Sequence, residues 1–199
     1  MSDVHRDDIG SKLGMWLFIF TELLLFGGLF ITYVVYRSMH QEAFHLASQE
    51  LDVGIGTINT IILLISSATV AMSITAIQKK NKKLTLILLG TTIVLALIFL
   101  VNKYFEWGAK FDHGIFPGSE FLDQLGYGDI LFFGLYFFMT GLHAFHIIVG
   151  MVLLGVIFFR VKNDKLVHDN FQLLENGGLY WHLIDLIWIF LFPLFYLIA

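Results

Sequence analysis

Five stretches of the chain are almost continuously apolar, and the polar residues gather between them. They cover approximately residues 13–36, 54–77, 84–107, 130–159 and 178–199, each at or above the roughly 20 helical residues needed to cross a hydrocarbon core of about 30 Å. Runs such as Leu84-Thr85-Leu86-Ile87-Leu88-Leu89 lack the period-2 alternation of a barrel strand, and open sheet edges do not survive in lipid. The pattern therefore predicts an all-α bundle of five transmembrane helices filling one domain. The connectors at 37–53 and 108–129 leave no room for a separate soluble unit, and the short link at 78–83 makes the second and third spans an antiparallel hairpin. Asp3, Asp7 and Asp8 precede the first span, its apolar run is long, and no small-x-small cleavage site follows. A signal peptide has the opposite features, so this span is expected to stay in the mature chain.

Composition sharpens the class. The chain is 57% hydrophobic and 14% charged, with a mean hydropathy of +0.78, far from the roughly 25% charged residues of a soluble domain. The absence of cysteine excludes disulfides, thiolate metal sites, iron–sulfur clusters and thiol nucleophiles. A net charge of −4 gives no basic field for nucleic acid. Charge is distributed unevenly about the membrane: Arg6, Lys12, Lys79, Lys80, Lys82, Lys83, Arg160, Lys162 and Lys165 fall on one side, against Arg37, Lys110 and the span-end Lys103 on the other. The positive-inside rule then puts the N-terminus in the cytoplasm and the C-terminus in the periplasm.

The residues that cost free energy to insert are the candidate site. Glu22 is the one charge in the first span and sits near mid-bilayer, where a carboxylate costs about 3 kcal/mol and calls for a partner. It is either a proton-handling or reagent-sensitive carboxyl, or a hydrogen bond locking two helices. His143 and His146 lie three apart on one helix face at a similar depth, so either one can meet Glu22. They do not make a haem site, which needs axial ligands on opposite faces, nor a complete metal site with one distant acid. His5, His40, His45, His113 and His168 show no ligand spacing.

In the last span His182 and Asp185 share a face as an internal ion pair, with Tyr180 and Trp181 suited to the headgroup level. Asn176-Gly177-Gly178 would offer free amides to an anion such as a lipid phosphate at the helix start. Asn102, Lys103 and Glu106 read as a self-neutralising interfacial patch. Gly134, Gly141, Gly150 and Gly155 would let helices approach the fourth span closely. No phosphate loop, nucleophile elbow or zincin pair is present.

Several stretches, in this order, carry a family resemblance. They are Lys12-Leu13-Gly14-Met15-Trp16-Leu17-Phe18 leading to Thr21-Glu22-Leu23-Leu24-Leu25-Phe26-Gly27-Gly28, then Asn59-Thr60-Ile61-Ile62 and Tyr104-Phe105-Glu106-Trp107. Tyr136-Phe137-Phe138-Met139-Thr140-Gly141-Leu142-His143-Ala144-Phe145-His146 and Tyr180-Trp181-His182-Leu183-Ile184-Asp185 complete the set. Over nearly its whole length the chain resembles subunit III of the haem-copper terminal oxidases. The resemblance implies an accessory subunit of the bacterial inner membrane with no redox centre of its own. Such a subunit packs with the haem- and copper-bearing catalytic subunit I and with subunit II of a dioxygen-reducing complex, supports stability and proton uptake, and binds phospholipid.

It also implies that Glu22 is the family's buried, carbodiimide-reactive carboxyl, and that His143, His146, Glu106, His182 and Asp185 are its other intramembrane polar residues. Trp181, His182 and Asn176 are the expected lipid contacts. Longer members carry two further helices before the first motif, so the chain is similar to the short five-helix bacterial form, in which a small subunit IV would replace that pair. Glu at position 22, where the quinol oxidase branch often has Asp, leans toward an aa-type cytochrome c oxidase. A quinol oxidase subunit is the alternative, and the residues alone also permit a small proton or solute transporter using Glu22, His143 and His146. That last alternative lacks an inverted repeat or a helix broken at the midplane.

Overall fold

The computed structural model describes residues 8–167 and 171–198. Asp3, His5, Arg6, Asp7, His168 and the span-end Ala199, used above, lie outside the described residues. The helices are α1 (Asp8–Met39), α2 (Gln41–Gln49), α3 (Val53–Gln78), α4 (Lys82–Asp112), α5 (Glu120–Leu125), α6 (Tyr127–Lys162) and α7 (Gln172–Tyr196). Five of them are long and apolar enough to cross a membrane, and no strand occurs among the described residues.

The long helices overrun the apolar windows because polar residues cap them. Asp52 accepts the Ile55 amide at 3.1 Å to start α3, and Asn81 accepts the Leu84 amide at 3.1 Å to start α4, each satisfying a donor with no partner inside the helix. Lys80, at φ 60°, turns the chain between them. The largest shift is in α7, which begins at Gln172 and not near Gly178. Gly177 and Gly178 are therefore helix interior, where intrahelical carbonyls take their amides, so the free-amide anion site expected there does not form. Their role is close packing: a Cβ on Gly177 would stand 2.6 Å from Ile157 Cδ1, and one on Gly178 2.8 Å from Ile74 Cδ1. Of the α6 glycines expected to admit neighbours, Gly141 and Gly150 receive the rings of Trp107 and Trp181, whereas Gly134 and Gly155 have nothing of the described residues within 4 Å.

α3, α4, α6 and α7 form the packed body, and α1 lies along one side of it. Two ladders of polar contacts tie α3 to its neighbours. Trp181 and Trp188 of α7, two turns apart, donate to Ser66 Oγ and Thr60 Oγ1 of α3, each at 3.0 Å. Toward α4, Thr69 meets Thr92 at 2.8 Å, and Asn102 donates to Asn59 at 2.8 Å. The helix α2 in the 37–53 connector buries Phe44 between Tyr33 and Phe132, and Tyr33 donates to the Leu194 carbonyl of α7. Lys82 with Asp164 at 2.7 Å, and Lys12 with Glu175 at 3.5 Å, bring the lysine-rich segments to one end of the bundle. The acidic connectors lie at the other end.

Candidate functional site

Glu22 faces α6 from the middle of α1. Its Oε2 lies 3.1 Å from His146 Nε2, and both side chains are nearly closed off, at 14% and 11% exposure. His146 Nδ1 is 2.7 Å from the Leu142 carbonyl, one turn back. A carbonyl only accepts, so Nδ1 carries a proton and Nε2 is the ring nitrogen turned toward the Glu22 carboxyl. The contact is a close approach, because Glu22 Oε2 makes no hydrogen bond of full geometry. Phe26 packs edge-on against the His146 ring at 5.6 Å, and the Tyr180 hydroxyl donates to the His146 carbonyl at 3.1 Å.

Of the two histidines open to Glu22, His146 is the one it meets. His143 turns the other way, stacked on Trp188 at 5.2 Å and edge-on to Phe99 at 5.7 Å. It is fully buried, and neither ring nitrogen has a hydrogen-bond partner.

The second polar group corrects the interfacial patch. Lys103 and Glu106 are buried, at 4% and 3% side-chain exposure, with Nζ 3.1 Å from Oε2. Lys103 is thus an interior cation and no part of the charge balance at the bundle's ends. Its Nζ donates to Tyr196 at 2.6 Å and lies about 5 Å from the ring centres of Tyr136, Trp188 and Tyr196, the geometry of a cation–π cage. The Tyr136 hydroxyl donates to Glu106 Oε1 at 2.6 Å, and the Tyr196 hydroxyl donates to the same oxygen. Both charges are thereby hydrogen-bonded, as burial in lipid demands. Asn102 takes no part and pairs with Asn59 instead.

The third group lies toward the lysine-rich end. His182 and Asp185 make no ion pair; His182 Nδ1 lies 2.6 Å from Ser67 Oγ of α3. That hydroxyl also stands beside the Asp185 carboxyl, which is buried and otherwise without a hydrogen bond. Trp181 is not at headgroup level. Its ring is fully buried against Gly150, so it cannot be a lipid contact. The residues that line an open groove of about 320 Å³ here are Lys12, Trp16, Glu175, Asn176 and His182, with Ile74 and Leu179 as apolar wall. Asn176 also donates to Ser11 at 2.9 Å, closing α7 onto α1.

Asn59, Ser66, Ser67, Tyr136 and Tyr196 are the members of these groups to which no role was given from sequence, Asn59 and Tyr136 standing only within the stretches that carry the resemblance. Asn59 and the Ser66-Ser67 pair could have been found, since they interrupt an apolar span. The tyrosines could not, because nothing in their spacing distinguishes them from belt residues. No group of three or more histidine, aspartate or glutamate side chains is arranged as metal ligands among the described residues.

A family profile described as Cytochrome c oxidase subunit III matches residues 4–199. The "Probable quinol oxidase subunit 3" of Staphylococcus saprophyticus is 30% identical over 189 residues, covering 95% of this chain and 89% of the relative. The "Cytochrome c oxidase subunit 3" of Thermostichus vulcanus is 31% identical over 200 residues, covering 98% and 90%. A "Heme-copper oxidase subunit I+III" of Aeropyrum pernix is 30% identical over 201 residues, 97% of this chain but 23% of that longer protein.

Proposed function

The chain belongs to the cytochrome c oxidase subunit III family and is a multi-pass membrane subunit of a haem-copper oxidase, and we propose that it is the accessory subunit III of a bacterial aa-type cytochrome c oxidase. In this role it holds no redox centre. Haem and copper belong to the catalytic subunit I, against which this chain packs together with subunit II, and a small subunit IV is a further partner. The subunit lies in the bacterial inner membrane with its lysine-rich end cytoplasmic, as the distribution of Lys and Arg favours. It supports the stability of the catalytic subunit and the uptake of protons for reduction of dioxygen.

Glu22 is the observation that carries this proposal. The resemblance gives it the place of the family's reactive buried carboxyl, and its Oε2 lies 3.1 Å from His146 Nε2 across a helix interface. A carboxyl and an imidazole facing each other at mid-membrane are suited both to locking α1 against α6 and to answering a change of charge in a neighbouring subunit. His143, Glu106 and Asp185 serve as interhelical supports. The groove formed by Lys12, Trp16, Glu175, Asn176 and His182 is the phospholipid site, with Trp16 in the place expected for Trp181. The same role in a quinol oxidase is the second proposal, favoured by the similarity to the staphylococcal relative.

The test is mild-detergent purification of the tagged chain from its native membrane, with the reduced-minus-oxidised spectrum and partner masses taken on one sample. Bound a-type haem with a large polytopic partner, and turnover with reduced cytochrome c, supports the first proposal. Turnover with quinol alone transfers the role to the second. A colourless, solitary chain under conditions that keep other oxidases intact would overturn both.

A further inference from the structure

We infer that the cavity at the acidic end of the bundle is a second lipid site, which holds the phosphate of a membrane phospholipid on Arg37. It is separate from the groove at His182, which opens at the other end of α1. The cavity, of about 470 Å³, is bounded by Val34, Arg37, Ser38, Gln41, His45 and Ile198. It lies where α1 ends, α2 begins and α7 runs out.

Four observations point to the ligand. First, Arg37 makes neither an ion pair nor a hydrogen bond among the described residues, although Glu42 follows within five positions. An unpaired guanidinium beside a cavity keeps its planar fork of donors for an incoming oxyanion, and phosphate matches that fork. Second, the other polar walls do not compete for the cation. His45 is committed, with Nδ1 3.4 Å from the Ile198 carbonyl and Nε2 3.3 Å from the Gln49 carboxamide. Ser38 donates to the Val35 carbonyl at 2.7 Å. The Gln41 carboxamide has no partner and can add a donor.

Third, the cavity is half apolar, through Val34 and Ile198. Ile31, Val34 and Val35 continue as an exposed apolar strip down α1. A headgroup in the cavity would thus lead its acyl chains along a surface already made for lipid. Fourth, the depth is right: Arg37 is in the last turn of a membrane-spanning helix, where headgroup phosphates lie. An arginine serving only the dipole of α1 would need no cavity beside it.

The test titrates the full chain in detergent micelles with three probes: short-chain phosphatidylglycerol, the matching diacylglycerol without phosphate, and inorganic phosphate. Phosphorus NMR reports binding of the two phosphate probes, and native mass spectrometry reports binding of all three. Arg37→Gln should weaken phosphatidylglycerol about tenfold, the scale of one charge-assisted contact. Gln41→Glu, a change at an exposed position that leaves α1 intact, should weaken it through repulsion. Inorganic phosphate binding as tightly, through the same two residues, upholds the phosphate site and assigns its occupant to solvent. Diacylglycerol binding as tightly as phosphatidylglycerol overturns the proposal, as does binding of either phosphate probe unchanged in both variants, or binding of no probe. If Arg37→Gln does not fold, Gln41→Glu decides alone.

Discussion

Lys103 and Glu106 can be separated from their surroundings by a double-mutant cycle, with Lys103→Met, Glu106→Leu and the pair together. Each single change leaves the other charge buried without its counterion, in side chains that are 4% and 3% exposed, and breaking such a pair typically costs about 3–5 kcal/mol. Glu106→Leu adds to this by removing the acceptor of both tyrosine hydroxyls, at about 1–3 kcal/mol for each buried donor left unpaired. Lys103→Met adds less, since the two tyrosines keep Glu106. In the double variant no charge remains, and the tyrosine hydroxyls, 3.4 Å apart, can satisfy one another. The double variant should therefore lose at least about 3 kcal/mol less than the sum of the singles, more than a hundredfold in the folding equilibrium. Reversible unfolding of the full chain in micelles, followed by near-ultraviolet circular dichroism, measures all four corners. Additivity within about 0.5 kcal/mol, or single losses under about 1 kcal/mol, would refute the idea that the pair is held as charges in the interior.

Three further outcomes are expected. Glu22→Gln and His146→Gln should be non-additive by about 0.5 kcal/mol or more, because their side chains meet, whereas Glu22→Gln and His143→Gln should add; the reverse pattern in the same unfolding assay would sink the pairing. Gly150→Ala should destabilise by about 1–3 kcal/mol, since the new methyl would stand 2.9 Å from two atoms of the buried Trp181 ring. Gly155→Ala, with nothing within 4 Å, should be close to neutral, and equal losses at the two positions would contradict this account of α6. Trp181→Phe should cost about 1 kcal/mol through the lost bond to Ser66, and an unchanged melting temperature would place that bond among the negligible ones.

The five spans were legible because lipid imposes one rule on every residue of a helix, and apolar length alone satisfies it. Glu22 was legible for the same reason, as an exception to the rule. What the sequence did not reveal is which neighbour satisfies each exception, since that depends on how the helices are rotated. His143 and His146 share a face at three-residue spacing, yet one meets α1 and the other α7. Lys103 read as a span-end charge because three and four residues separate it and Asn102 from Glu106. The cage that takes it inward comes from Tyr136, Trp188 and Tyr196, on two other helices. Gly177 and Gly178 looked like a helix start because glycine weakens helices in water. In a bundle the absence of a side chain was worth more as space.

The thin seating of α1 sets an order of events during synthesis. Only 11% of its apolar window is covered by the rest of the chain, and its polar ties run to His146 of α6 and to Glu175, Asn176 and Leu194 of α7, two spans translated long after it. At about 5–20 residues per second, Glu22 spends on the order of ten seconds in the bilayer before the imidazole it faces has been translated. The α3–α4 hairpin, whose Thr69–Thr92 and Asn59–Asn102 contacts lie within its own length, can close long before then. The helix α1 therefore enters the membrane well before its partners on α6 and α7, and it is held until then by lipid and by whatever insertion machinery stands beside it.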